Sequence, residues 1–311
     1  MKTGKGLRAA IILTLAAAVT ACSSGSNSNN GSISVSLMDR PIDGISELHI
    51  TVTEFRIKPQ GNGPAFALDM VDTPVTVNLL ELSVDNPAVF IDRANIPAGS
   101  YNWLEMTVDD SDTSLAYAMT KTGEMQAVDV DVPSNRVRLI NNFEVEPNES
   151  VRFLFDWDVR KGLVDAVGRG LLILKPVIRV LDVEEFASVE GEISSATVMS
   201  TDNNCNADDE VGMDYDVGNV IYVFEGDVAP AEIGVADPLT TVAATYDGSS
   251  GNYAYRAVLM PGTYTLAATC QAGVDTDGVD GLDPETFFLE PVSGDSLVVF
   301  DDAGSIVGPG F

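Results

Sequence analysis

The sequence predicts an all-β protein built as two tandem antiparallel β-sandwich domains behind an export signal and a flexible tether. Three observations carry that expectation. Short runs alternate apolar and polar residues with a period of two, and turns rich in Gly, Pro, Asn and Asp separate them. Long helical periodicity is absent. Composition also shifts sharply after Phe186, where the last 125 residues hold 22 acidic side chains and one basic one, Arg256.

Residues 1–21 read as a secretory signal, with Lys2, Lys5 and Arg8 as a basic start and Ala9 to Val19 as an apolar core too short to cross a bilayer. The closing Val19-Thr20-Ala21-Cys22 resembles the bacterial lipobox. That resemblance implies a diacylglyceryl group on the Cys22 thiol and acylation of the new amino terminus. An ordinary cleavable signal also fits Val19 and Ala21. Two or more acyl chains would anchor the chain durably, at about 0.8 kcal/mol per buried methylene. Residues 22–32 then comprise the lipidated cysteine and a small, polar linker with nothing to bury. Position 23 is Ser rather than Asp, which in similar lipoproteins implies transfer to the outer membrane.

The chain carries 17 basic and 47 acidic residues, a formal net charge of −30. Such a surface repels phosphate backbones and lacks the clustered cations that release counterions, so nucleic acid is excluded as a partner class. The expected partners are the membrane, through the anchor, and a protein or carbohydrate ligand of unknown identity. Beyond Cys22 the cysteines are Cys205 and Cys270, an even pair in an exported chain, for which a disulfide is the default. On the chain-entropy model a loop of roughly 66 residues contributes about 4 kcal/mol.

Taken in order, Ile33, Val35 and Leu37 alternate with serines, and Leu48, Ile50 and Val52 alternate with His49, Thr51 and Thr53. After Glu54 the apolar residues Phe55 and Ile57 change parity, which predicts a β-bulge that turns the strand. Further strands are expected at 65–71, 75–80, 101–108, 125–130, 137–140 and 151–157, with short helical segments near 81–90 and 159–167. A link at Asp182-Val183-Glu184-Glu185 separates a first domain, 33–183, from an acidic second domain, 187–307. In the second, strands are expected at 187–199, 219–224, 240–246, 252–258, 263–270, 286–291 and 297–300. A short phrase recurs, as Pro97-Ala98-Gly99-Ser100-Tyr101 and Pro261-Gly262-Thr263-Tyr264, each leading into a strand.

Three stretches, SISVSLMDRPIDGISELHITVTEFRI, IPAGSYNWLEMTV and FEVEPNESVRFLFDWDVRKGLV leading to LLILKPVIRVLD, resemble the exported bacterial lipoproteins of domain of unknown function 4382 (DUF4382) over residues 31–182. That resemblance implies a compartment and a β fold and transfers no catalytic residue. In the second half, TYDGSSGNYAYRAVLMPGTYTLAATC resembles the transthyretin-like, or carboxypeptidase regulatory-like, sandwich. Both domains are thus expected to be of prealbumin or immunoglobulin-like type.

Candidates for chemistry are few. His49 is the only histidine and no nucleophile motif accompanies it, which argues against a Ser-His-Asp or His-rich zinc site. Asp275, Asp277, Asp280, Asp283 and Glu285 alternate with glycines in a loop whose oxygens suit calcium, although the spacing departs from the EF-hand and a solvated acidic turn fits as well. A second acidic loop, 203–216, would approach it through a Cys205–Cys270 bond. Trp157 sits between Asp156 and Asp158 ahead of Arg160 and Lys161: either a core strand ending in a hydrogen-bonded corner or a sugar-binding platform. The expected function is that of a lipid-anchored binding or scaffold module of the cell envelope, without enzymatic activity and with adhesion as one use. The alternative is a carbohydrate-active accessory protein or hydrolase, for which a cleft gathering two acids beside an exposed Trp103 or Trp157 would be the signature.

Overall fold

The computed structural model describes residues 29–39, 45–120, 127–166, 170–198, 219–228, 238–271, 290, 297–300 and 304–311. The expected signal peptide, Cys22, Cys205, the acidic loop 203–216 and the candidate calcium ligands Asp275, Asp277, Asp280, Asp283 and Glu285 lie outside them. So does the expected strand at 286–291, except that Glu290 pairs with Ala268 as an isolated bridge.

The chain is nearly all β. The first half contains β1 (Asn30–Asp39), β2 (Ile45–Pro59), β3 (Phe66–Ala67), β4 (Val75–Asn78), β5 (Ala88–Pro97), β6 (Gly99–Asp109) and β7 (Tyr117–Thr120). It continues with β8 (Ala127–Asp131), β9 (Arg136–Val145), β10 (Ser150–Trp157), the single-turn helix α1 (Val159–Gly162), β11 (Leu163–Asp165), β12 (Leu171–Leu174) and β13 (Ile178–Asp182). The second half contains β14 (Ala187–Ile193), the single-turn helix α2 (Ser195–Val198), β15 (Val220–Glu225), β16 (Thr240–Asp247), β17 (Asn252–Leu259), β18 (Gly262–Thr269), β19 (Leu297–Phe300) and β20 (Gly304–Val307).

In the first half a four-stranded sheet, β13-β10-β1-β5, packs on a nine-stranded sheet whose main path is β11-β12-β8-β7-β2-β6-β9. The core between them is filled from both inner faces: Ile33, Val35, Leu37, Phe153, Phe155 and Trp157 from one, and Leu48, Ile50, Phe55, Ile57, Leu104 and Val108 from the other. The alternation in β1 is therefore the side-chain geometry of a strand with one face on a core. Its serines at 32, 34 and 36 are only half-buried, and Ile33, Val35 and Leu37 are buried. The parity change in β2 is a bulge: Val52 faces Val108 and Glu54 faces Thr107, leaving Thr53 as the extra residue.

Pairing is mostly antiparallel, but β1–β10, β8–β12 and β14–β20 are parallel, a correction to a purely antiparallel reading. The helical segment expected near 81–90 is a short 3-10 turn at Leu79–Glu81, a loop in which Ser83 and Asn86 exchange backbone hydrogen bonds, and then β5. Pro87 and the reciprocal Ser83–Asn86 bonds stop the helix before it starts. The strand expected at 187–199 ends at Ile193 and gives way to α2, and β1 begins at Asn30, inside the stretch expected to be linker.

The second half is a single seven-stranded path, β19-β18-β15-β16-β17-β14-β20, curled around its own core. The curl is made within β16: Thr240 to Ala243 pair with β15, and Ala244 to Asp247 pair with β17. Val189, Ile221, Val223, Tyr253, Tyr255, Leu259 and Leu266 fill the interior.

Candidate functional site

The most distinctive chemistry in the sequence, Asp156-Trp157-Asp158-Val159-Arg160-Lys161-Gly162, lies at the end of β10 and through α1. Strand alternation sends Phe153, Phe155 and Trp157 into the core, so Leu154 and Asp156 point out of the opposite face. Trp157 is fully buried, and its indole N–H donates to the Lys175 carbonyl at 3.1 Å. A stacking platform needs an open ring face, and Trp157 offers none. Asp158 caps α1 by accepting the Lys161 backbone N–H at 3.1 Å. Gly162 is required by close approach, since a Cβ there would stand 2.5 Å from the Lys175 carbonyl oxygen.

Asp156 is fully buried and takes two hydrogen bonds from one guanidinium: Arg179 Nε at 3.1 Å and Nη2 at 2.8 Å, both on Oδ2. Arg179 comes from β13, and the register that sets Asp156 opposite Arg179 makes the pair. A buried carboxylate is tolerated only when it is paired and hydrogen-bonded in this way. On β1, Asp39 is also buried, and its Oδ1 accepts the Val159 N–H at 3.3 Å.

Asp39, Asp156 and Arg179 line a cleft of about 830 Å³ between the two halves of the chain. Glu81 and Asp85 from the loop before β5, and Glu190, Glu192 and Arg256 from the second half, complete its charged wall. Arg256 of β17 bridges it: Nη1 bonds Asp85 across the cleft and Nε lies 3.1 Å from Glu190. Thr240, Thr241, Thr245 and Tyr255 add hydroxyls, and Met38, Leu82 and Val258 add apolar surface. Neither tryptophan lines the cleft. Burial pushes the Tyr255 phenol well above its ordinary value, and its hydroxyl donates to the Pro309 carbonyl at 2.8 Å.

The other expected candidates fall elsewhere. Trp103 is half-buried on β6 with the Arg138 guanidinium over its ring at 5.0 Å, and the buried Glu105, two residues further along the strand, is held by Arg138 at 3.4 Å. His49 stacks on Tyr117 with ring centroids 4.5 Å apart, and its Nε2 lies 2.9 Å from Glu47. Cys270 is buried just beyond β18, and its expected partner Cys205 is outside the described residues. Among the described residues no three acidic, histidine or cysteine side chains gather as a metal site. No helix among them is long and apolar enough to cross a membrane. Sequence reading did not single out Arg179 or Asp85, because their roles come from strand register and from the packing of the two halves.

The chain has no match among curated proteins. Among solved structures it is similar to a leucine-rich repeat protein from Bacteroides thetaiotaomicron VPI-5482, at 14% identity and a TM-score of 0.24, over 91% of this chain and 26% of that one. The chain thus spans about a quarter of that protein's length. It is also similar to the fimbrial anchor protein Mfa2 from Porphyromonas gingivalis, at 7% identity and a TM-score of 0.16, over 78% of this chain and 79% of that one. At the level of families, residues 30–176, the stretch from β1 through Pro176 that contains the buried corner, match the domain of unknown function DUF4382.

Proposed function

We propose that the chain is a lipid-anchored protein of the cell envelope, held in the outer membrane through Cys22, that acts as a non-enzymatic binding or scaffold module, with adhesion as one use. The observation that carries this reading is the way the one chemistry-rich motif spends its side chains. Asp156 pairs with Arg179, Asp158 caps α1 and Trp157 fills the core, so the motif builds a rigid body, which supports a binding or scaffold role. The signal-like segment ending at Cys22 supports the anchor. The second half is read as a transthyretin-like sandwich stapled by a Cys205–Cys270 disulfide, with calcium at Asp275, Asp277, Asp280, Asp283 and Glu285 as a stiffening ligand.

The test is metabolic labelling of the full-length chain with an alkyne fatty acid in a bacterial host with two membranes. The wild-type chain takes the label and sediments with outer membranes, and Cys22→Ala does neither. A wild-type chain that stays unlabelled and soluble overturns the anchor. A glycan array probed with the soluble form tests the carbohydrate alternative directly.

A further inference from the structure

The four-stranded sheet has two covered faces. One lies on the first-half core; from the other, Met38, Leu154 and Leu181 meet Val258 of β17, with Phe186 and Met260 packed at the margin. The near-continuous apolar text of β10, Val-Arg-Phe-Leu-Phe-Asp-Trp, is that of a strand buried on both sides. Around this apolar patch the corner supplies cations, and each donates to the second half. Arg160 Nη1 reaches the Tyr222 hydroxyl at 3.0 Å, with its guanidinium 5.2 Å from the ring centroid. Lys161 Nζ donates to the Pro238 carbonyl at 2.7 Å, and Arg179 Nη2 to the Val258 carbonyl at 3.0 Å. The receiving body carries 22 acidic side chains against one basic, so three cations face a strongly negative partner.

We propose that the Asp156–Gly162 corner, with Arg179, is a docking site whose occupant is the acidic second half of the same chain, and that this contact makes the two halves one rigid body. An apolar centre with a polar, hydrogen-bonded rim is the anatomy of a specific protein interface. The cations of the motif are committed to this partner, and the cleft lined by Arg256 and Asp85 keeps its width only while the contact holds.

The experiment uses the soluble chain lacking residues 1–22, compared with Arg160→Gln/Lys161→Gln, by limited proteolysis of the link at 182–186 and by small-angle scattering. Loss of both cation contacts raises cleavage of the link roughly tenfold and increases the maximum dimension. Raising the ionic strength also speeds cleavage of the wild-type chain, and does so less in the double variant. Unchanged cleavage and dimension in the double variant overturn the proposal. Tryptophan emission, from the buried Trp157 and the half-buried Trp103 of the same half, reports whether the first half stays folded. If it shifts to the red, Tyr222→Phe decides: it keeps the ring and leaves the first half untouched, and a rise in cleavage supports the docking site, whereas none rejects it.

Discussion

Tyr101 and Tyr264 close equivalent corners in the two halves: each hydroxyl donates to the carbonyl four residues upstream, Tyr101 to Pro97 at 2.5 Å and Tyr264 to Met260 at 2.8 Å. The two recurring Pro-Gly-Tyr phrases are thus one device used twice, at the entries to β6 and β18. Gly99 takes φ of +146° at the first turn, a conformation a side chain would oppose. Each Tyr→Phe substitution removes one half-buried hydrogen bond. We expect a loss of about 1 kcal/mol for either variant in urea unfolding, and additive losses in the pair because the corners lie in separate cores.

Alkaline titration reads the same residues. Burial raises the phenols of Tyr101, Tyr255 and Tyr264 above the ordinary 10.0. Because the folded-state value is raised, their stabilising contribution is intact below pH 10 and is lost as pH climbs from there through the folded values. Absorbance at 295 nm should show these three ionising late and together with unfolding. Tyr255→Phe should push the alkaline transition to higher pH; an unmoved transition would show that Tyr255 does not control it.

The Asp156–Arg179 pair is expected to obey the asymmetry of buried ion pairs. Arg179→Met leaves a fully buried carboxylate without its guanidinium and should cost about 3 kcal/mol or more. Adding Asp156→Leu to that variant should recover most of the loss. A double variant as unstable as Arg179→Met alone would count against the pairing.

Three exposed carboxylates offer a check on local turn chemistry. Asp109, Asp112 and Asp247 sit below the usual value of 3.8, held there by hydrogen bonds from the side chain and backbone of Ser111, Ser114 and Ser249 respectively. A lowered folded-state value stabilises above the unfolded one, and that contribution disappears as pH falls through the folded value. Carboxyl carbon shifts followed by NMR should give Asp247 a midpoint below 3.8, and Ser249→Ala should move it back up.

The covalent and metal proposals separate cleanly in one pair of experiments. A non-reducing peptide map should contain a single cross-linked peptide joining Cys205 to Cys270. Thermal unfolding of the soluble chain should rise with calcium and fall with chelator. A chelator-insensitive midpoint leaves 275–285 as a solvated acidic turn.

Much of this fold is legible in the sequence where one face of a strand meets a core, as in β1 and in the bulged β2. It is least legible at edges. β5 carries Asp92-Arg93-Ala94-Asn95, which breaks alternation, because it is paired on one side only and bends at Arg93, where φ is 51°. β20 has only Ile306 and Val307 as apolar residues, and Val307 is 91% exposed, so its four residues carry no pattern. The corner was legible as charged and hydrogen-bonded, but its partner was not. Which residue receives Arg160 or Lys161 depends on how two cores stack, and no local periodicity encodes that.

β1 enters the fold directly from residue 29 and is flanked on both sides, parallel to β10 from Ser32 to Asp39 and antiparallel to β5 from Asn30 to Leu37. Tension applied at that end runs along the strand axis, across ladder bonds that lie transverse to it. Both ladders must then shear together instead of unzipping one bond at a time. A pull applied at Asn30 is therefore shared by the whole four-stranded sheet before any core residue is exposed.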